Sequence, residues 1–351
     1  MYIAIAIIAF GLLIAVHEFG HFSAAKLLGV RVNEFAIGMG PKIFGKQGKE
    51  TLYTLRLLPF GGFCAMDEDI SSDDPRAFTS QKRWRRIVIL AAGGIANILA
   101  AVIIIMILVA GMKGFAGTTL TGFAEGFPNE GEQGLMIGDT IVSINGERLY
   151  YMEDFSLIMQ FATNNHVNLL IRRGGETIKL DDFPLEQREY MIDGRMQLRY
   201  GVSFNRIESS FIEDFKYTCY KTMNFVRLIR FSLAQLISGA AGVRDLAGPV
   251  AIVDAMNEIG QSSPSVGVAL ADIAHFIAFI GVNIAIVNLL PIPAMDGGRI
   301  LFIFLTWVIE KIAHRKLDPK YEGYIHTTVL VLLMGFMVFI LVNDVLRIVN
   351  G

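Results

Sequence analysis

Cysteine is nearly absent: Cys64 and Cys219 are the only two in 351 residues. That excludes a disulfide framework, and the pair lacks the spacing of a zinc ribbon. No surplus of basic charge exists either, since 31 Lys and Arg face 33 Asp and Glu for a net charge of −2. A nucleic-acid partner is therefore not expected. Charge of any sign is thin, at 18% of residues, where an average soluble domain carries about 25%. The amino terminus lacks a charged n-region, and its apolar stretch is too long for a secretory signal, so it reads as a retained span. Paired, repeated broken helices of the kind that mark transporters are missing too.

Apolar residues make up 53% of the chain, and they are concentrated. Runs at 1–28, 87–112, about 266–295 and about 324–348 each approach the ~20 residues that a helix needs to cross a bilayer. A purely soluble protein is excluded. The stretch from Lys26 to Arg86 carries 11 Lys and Arg, and Arg299 to Lys320 carries five, which assigns both to the cytoplasm. Residues 111–208 hold nine basic against fourteen acidic residues, as a translocated domain would. The expectation is four spans with both termini outside and one folded domain outside between the second and third.

That domain has its own texture. Over 118–182, short β-branched and aromatic runs alternate with Gly, Pro and Asn, the pattern of a small β-rich fold. Thr140–Ile144 reads as a strand closed by an Asn145-Gly146 turn, followed by a helix near Met152–Ala162 and a strand at Val167–Arg172. The string Gly134-Leu135-x-x-Gly138-Asp139-x-Ile141-x-x-Ile144-Asn145-Gly146 resembles the core of a PDZ domain. Such domains add a peptide strand to an exposed edge; alternatively this one only gates access to the membrane part. From Ser210 to about Ile237, apolar residues recur at helical spacing, and Ser210 with Glu213 forms a capping box. This helix either lies in the interface or packs on the domain.

The chemistry is concentrated in the first span. His17-Glu18-Phe19-Gly20-His21 places two imidazoles one turn apart with a carboxylate beside them, the arrangement of a Zn²⁺ site with its general base. Ionisable groups in a membrane helix each cost roughly 2.5–3.5 kcal/mol on insertion scales. Three within five residues therefore need a compensating partner: a metal, or a packed polar cluster or proton relay. A catalytic zinc needs a third protein ligand. Asp296, just past the third span and after Pro291 and Pro293, is at matching depth, because two prolines free the backbone to turn back. Asp272 and His275 lie about 30 Å away along a continuous helix and are excluded; His166, His314 and His326 receive no role. In the second span, Gly93-x-x-x-Asn97-x-x-x-Ala101 forms a small-residue stripe. There Asn97 serves either as helix–helix glue or as a holder of a substrate carbonyl or oxyanion.

Taken in order, HEFGH, G-x-x-x-N-x-x-x-A and Asn288-Leu289-Leu290-Pro291-Ile292-Pro293-x-x-Asp296-Gly297-Gly298 resemble the site-2 protease family of intramembrane zinc metalloproteases. The single PDZ-like insert points to the bacterial regulator of sigma-E protease group. Leu246-Ala247-Gly248-Pro249-Val250-Ala251-Ile252 is similar to a segment found before the third span in that group, with Ala251 in place of a glycine.

The resemblance implies Zn²⁺ held by His17, His21 and Asp296, Glu18 as catalytic base, and Asn97 and Asn288 as substrate-binding residues. It also implies a location in the bacterial cytoplasmic membrane and single-span substrates such as anti-sigma factors or signal-peptide remnants. The hairpin pattern within 35–66 then reads as a membrane-dipping strand pair able to clamp an unwound substrate by β-addition; a solvated cytoplasmic hairpin is the alternative. The expected fold is a polytopic α-helical membrane protein with four transmembrane helices, a membrane-associated β-hairpin and an inserted PDZ-like domain. Its divisions are 1–112, 113–208, 209–265 (amphipathic helix and linker) and 266–351. A non-catalytic PDZ-bearing scaffold or metal-binding transporter is the competing reading, and the intact Glu18 speaks against it.

Overall fold

The computed structural model describes residues 1–67, 74–162, 164–192, 194–240, 242, 248–313 and 320–350. In chain order these form α1 (Tyr2–Leu27), β1 (Val32–Gln47), β2 (Leu52–Met66), α2 (Arg83–Val109), β3 (Gly114–Phe123), β4 (Thr140–Ile144) and β5 (Glu147–Arg148). There follow α3 (Met152–Gln160), β6 (His166–Arg173), β7 (Glu176–Pro184), β8 (Arg188–Ile192), β9 (Arg195–Arg199) and β10 (Val202–Glu208). The chain ends with α4 (Phe211–Ser238), α5 (Pro249–Ser262), α6 (Val266–Leu289), α7 (Asp296–Ala313) and α8 (Lys320–Asn350). Two compact units result: residues 1–105 with 232–351, and residues 106–231.

In the first unit, α1, α2 and α6 are long and apolar enough to cross a membrane, and α8 contains a shorter apolar stretch, Thr327–Ile340. Their large apolar side chains point outward: Leu12 is 62% exposed and Ile103 59%. In water this would be an aggregation surface; in hydrocarbon it is the natural face of a spanning helix. The interior is built from small residues and from a cluster joining the end of α1 to α2 and α7, with Ala25, Val30, Ile89, Leu90 and Ile303 buried.

The expected hairpin is present, and it is folded more tightly than a simple hairpin. The amino-terminal half of β1 pairs with both ends of β2, so that Phe35 lies opposite Cys64 and also Tyr53, and Ala36 opposite Phe63 and also Thr54. The second half of β1 pairs back along β2, Lys46 with Tyr53 and Gln47 with Leu52. This leaves the Gly62–Met66 end of β2 with one β1 partner. At the turn, Glu50 accepts from Lys26 Nζ at 2.6 Å and from Arg76 at 2.8 Å, tying the hairpin tip to the end of α1. These bonds, Lys26 foremost, pull its carboxyl down to about 2.

Two helices were not anticipated. The segment after the prolines, expected as a charged loop, is α7: Ile300, Ile303, Phe304 and Trp307 recur at helical spacing and pack inward or line a cleft. Within the anticipated linker, Pro249–Ser262 is the helix α5, capped by Gly248 with Pro249 in its first turn, and it packs on α1 and α6. Residues 246–247 of the motif before it, and His314, Arg315 and Lys316 of the charged loop, lie outside the described residues. The third span ends at Leu289, where Pro291 and Pro293 stop the ladder, six residues before the expected limit.

The second unit is a β-rich fold in which β10, β3, β4, β6 and β7 lie in that spatial order and β5 pairs with β4. Its core gathers Leu135, Ile141, Ile144, Phe155, Leu169 and Ile171. The Gly138-Asp139 step is structural: buried Asp139 receives Arg173 Nε at 2.8 Å and Nη2 at 2.7 Å. Asn145 and Gly146 turn with φ of 50° and 81°, as the Asn-Gly pair required. Helix α4 packs on this unit, stacking Tyr217 on Phe115 with centroids 4.1 Å apart and placing Arg227 on Asp154 at 2.9 Å. Ser210 Oγ accepts from the Glu213 amide at 3.3 Å, one half of the expected capping box.

Candidate metal centre

The His-Glu-His run lies on α1, and both histidines face inward, each 7% exposed. They are buried because α2 comes close. A side chain on Gly93 would meet His21 Nε2 at 2.5 Å and His17 Cε1 at 2.7 Å, and one on Gly20 would meet the Ala92 carbonyl at 2.4 Å. Two glycines, one from each helix, thus permit the approach anticipated for the Gly93 stripe. Asn97, one turn beyond Gly93, is fully buried, and both atoms of its amide lack a hydrogen-bond partner among the described residues.

Asp296 arrives from the far end of the sequence. After Leu289 the chain turns through two prolines and Ala294, which holds a left-handed φ of 76°, and Asp296 then opens α7. A side chain on Gly297 would run into the Leu289 carbonyl at 2.2 Å, and one on Gly298 into that of Ile292 at 2.2 Å. The Gly-Gly pair is what lets the turn fold tightly against the helix it has just left. As a result Asp296 Oδ2 lies 3.2 Å from His17 Nε2 and 3.2 Å from His21 Nε2. The two Nε2 atoms are 3.1 Å apart. This is the one group of three or more His, Cys, Asp or Glu side chains among the described residues with metal-binding geometry.

The donor set fits a metal. His21 Nδ1 donates to the Ile89 carbonyl at 2.8 Å, so in the neutral ring Nε2 presents its lone pair to the centre. Two acceptors, His21 Nε2 and Asp296 Oδ2, then face each other with no proton between them, an arrangement that repels unless a cation sits there, and His17 Nε2 completes the triangle. Donors about 2.0–2.1 Å from a tetrahedral zinc lie about 3.3 Å from one another, close to the triangle observed. Asn288 Nδ2 stands 3.5 Å from His17 Nε2 at its rim. Glu18, the next residue along α1, accepts from the Cys64 backbone N–H, and a side chain on Gly62 would touch its Cγ at 3.4 Å. The carboxylate therefore sits between the histidine face and the free end of β2. Asp272, excluded on depth, accepts from Ser263 at 3.1 Å, a helix-end contact.

The model of peptidase family M50 matches residues 5–336. The chain belongs to that family, the site-2 proteases. A Clostridium acetobutylicum protein named "Putative zinc metalloprotease" is 37% identical over 99% of this chain and 98% of its own length. The "Regulator of sigma-W protease RasP" of Bacillus subtilis is 27% identical over 97% of each chain, and a Synechocystis protein with the zinc-metalloprotease name is 31% identical over 98% of this chain and 94% of its own. This M50 member is thus an integral membrane zinc metalloprotease.

The residues that sequence reading overlooked are those without chemistry of their own. Gly20, the Ile89 carbonyl and the Cys64 amide shape the centre through backbone alone. Gly20 carried a usable signal, because it lies between the two histidines on the helix that must admit α2. The Ile89 and Cys64 contacts carried none, since any residue type supplies them.

Proposed function

We propose that His17, His21 and Asp296 hold the zinc, that Glu18 is the catalytic base, and that Asn97 and Asn288 bind the substrate backbone. The observation that carries this reading is the triangle of 3.1–3.2 Å between one ligand atom each of His17, His21 and Asp296, with Glu18 adjoining it. When bound, zinc lowers the pKa of a coordinated water to about 7 and polarises a carbonyl. The chain's own groups do the rest. Glu18 accepts the water proton and passes it to the leaving amine, held in aim by the Cys64 amide. Asn97, with both amide atoms unpartnered, offers a donor for the developing oxyanion.

A spanning helix hides its peptide bonds in its own ladder and must be unwound before it can be cut. The Gly62–Met66 end of β2, paired on one side and adjoining Glu18, supports a role as the strand that receives the unwound segment by β-addition. The charge asymmetry of the loops supports four spans, α1, α2, α6 and α8, in the bacterial cytoplasmic membrane with the β-rich unit outside. The unit at about 113–208 is read as a PDZ-like domain that binds or gates the substrate, and α4 as the helix that follows it. The RasP relative's name, with its sigma-W regulator role, supports single-span anti-sigma factors as substrates; signal-peptide remnants are a second substrate of the same shape.

Co-expression of a single-span reporter with the wild type and with Glu18→Gln tests the reading, with the metal content of both measured after purification. Cleavage by the wild type alone, with equal zinc in both proteins, is expected. Equal cleavage by both would remove Glu18 from the mechanism. Metal retention without cleavage of any anti-sigma-like reporter would favour a scaffold or transporter.

A further inference from the structure

We propose that the cleft between the first turn of α2 and the middle of α7 seats one anionic phospholipid of the surrounding bilayer. The cleft has a volume of about 460 Å³, within the range of small-molecule sites. Its floor is apolar: Ile303 is buried, with Ile87 and the half-exposed Phe304 beside it. Its walls are Trp84 and Trp307, the chain's only two tryptophans, 54% and 42% exposed. Lys82 and Arg83 stand at its mouth. The order is that of a phospholipid itself: acyl chain on the floor, tryptophans at headgroup level, cations on the phosphate.

The charge balance selects an anionic headgroup. Arg83 is paired with Glu310, an ion pair that joins α2 to α7 at this cleft. Lys82 has no acidic partner among the described residues, and neither has Lys311, whose ammonium lies 5.5 Å from the centroid of the Trp307 ring. Each uncompensated cation near a membrane surface favours an anionic lipid by about fivefold, so two favour it by roughly 30-fold over a zwitterionic one. A soluble anion would use these cations and leave the floor bare. The seat also bears on the metal centre. Phe304 is about two turns beyond Asp296 on α7, and Ile87 about two turns before Gly93 on α2. A lipid wedged there braces the two helices that carry Asp296 and the Gly93 approach. The proposal rests on the chain lying in a bilayer and is independent of its peptidase chemistry.

Both tryptophans line the cleft, so their fluorescence reads it directly. Full-length protein is placed in phosphatidylcholine vesicles doped at low mole fraction with dibrominated phosphatidylglycerol or dibrominated phosphatidylcholine. Half-maximal quenching is expected at a mole fraction roughly 30-fold lower for the brominated phosphatidylglycerol. The preference should collapse in Lys82→Gln/Lys311→Gln. Trp84→Phe and Trp307→Phe should each leave the remaining tryptophan selectively quenched. Equal quenching by the two brominated lipids, or selectivity at one tryptophan alone, would overturn the proposal. So would relief of quenching by soluble glycerol phosphate, which would mark a headgroup-only anion site. No turnover is needed, so a failure here is separate from a failure of the Glu18→Gln test.

Discussion

Gly93→Ala probes the metal centre without replacing any side chain proposed to do chemistry. The added methyl would sit 2.5 Å from His21 Nε2 and 2.7 Å from His17 Cε1, about 1 Å inside ordinary contact. Either the imidazoles or α2 must yield by that amount. Overpacking of this kind costs about 1–3 kcal/mol in stability, which a helical membrane protein tolerates. The site does not tolerate it, because a misplacement of about 1 Å near the reacting groups costs on the order of 10²-fold in rate. Zinc retention should fall by about 10- to 100-fold in affinity, as when the supports of a ligand are lost. The assay is zinc stoichiometry by mass spectrometry after dialysis against graded chelator, alongside reporter cleavage. Gly94→Ala is the control: the nearest atoms to its methyl are Leu289 side-chain atoms at 3.0–3.1 Å and the Ala285 carbonyl at 3.3 Å, and it should keep nearly normal zinc. Equal zinc and equal cleavage in Gly93→Ala and wild type would refute the claim that this glycine admits the histidine pair.

Further outcomes follow from other contacts. Arg227→Ala leaves Asp154 buried without its cation, at a cost of about 3–5 kcal/mol; faster hydrogen exchange in α3, whose start Asp154 caps through the Tyr150 and Tyr151 amides, is the readout. Chelation should accelerate amide exchange in the first turn of α7 while the hairpin of β1 and β2 stays protected, since only Asp296 joins α7 to the histidines; protection unchanged along α7 would contradict a metal held there. Glu50 titrates near 2, below its ordinary 4.5. Its ties to Lys26 and Arg76 are therefore fully in place above about pH 4.5 and are lost as pH falls toward 2. Proteolysis at the hairpin tip should rise across that window, and Lys26→Met should move the rise to higher pH.

The cluster of His17, His21 and Asp296 was legible because membrane burial makes polar side chains conspicuous. Three ionisable groups in five residues of an apolar run, and one Asp after two prolines at matching depth, left few alternatives. The strand at Thr140–Ile144 and its Asn-Gly turn were legible for a local reason: alternation and turn chemistry act between neighbours. Helix α7 was hidden because its charges resemble a loop until Ile303 is seen to complete a core made by α1 and α2. Pairing of β10 with β3, Ile207 opposite Phe115, joins residues ninety-two positions apart, and periodicity reports nothing at that range. The double pairing of β1 was hidden likewise, since alternation fixes which face a side chain takes and not how many neighbours a strand has.

The three side chains of the triangle come from opposite ends of the sequence, and synthesis runs in one direction. Glu18 and both histidines enter the bilayer first, and Asp296 follows only after α6 has been made, an interval on the order of tens of seconds at ordinary translation rates. Until then the nascent chain carries Glu18 and two imidazoles without Asp296 to complete the triangle. The triangle is thus completed last, after α1, the β1–β2 hairpin, α2 and α6 have all been made, and a half-made copy lacks its third corner.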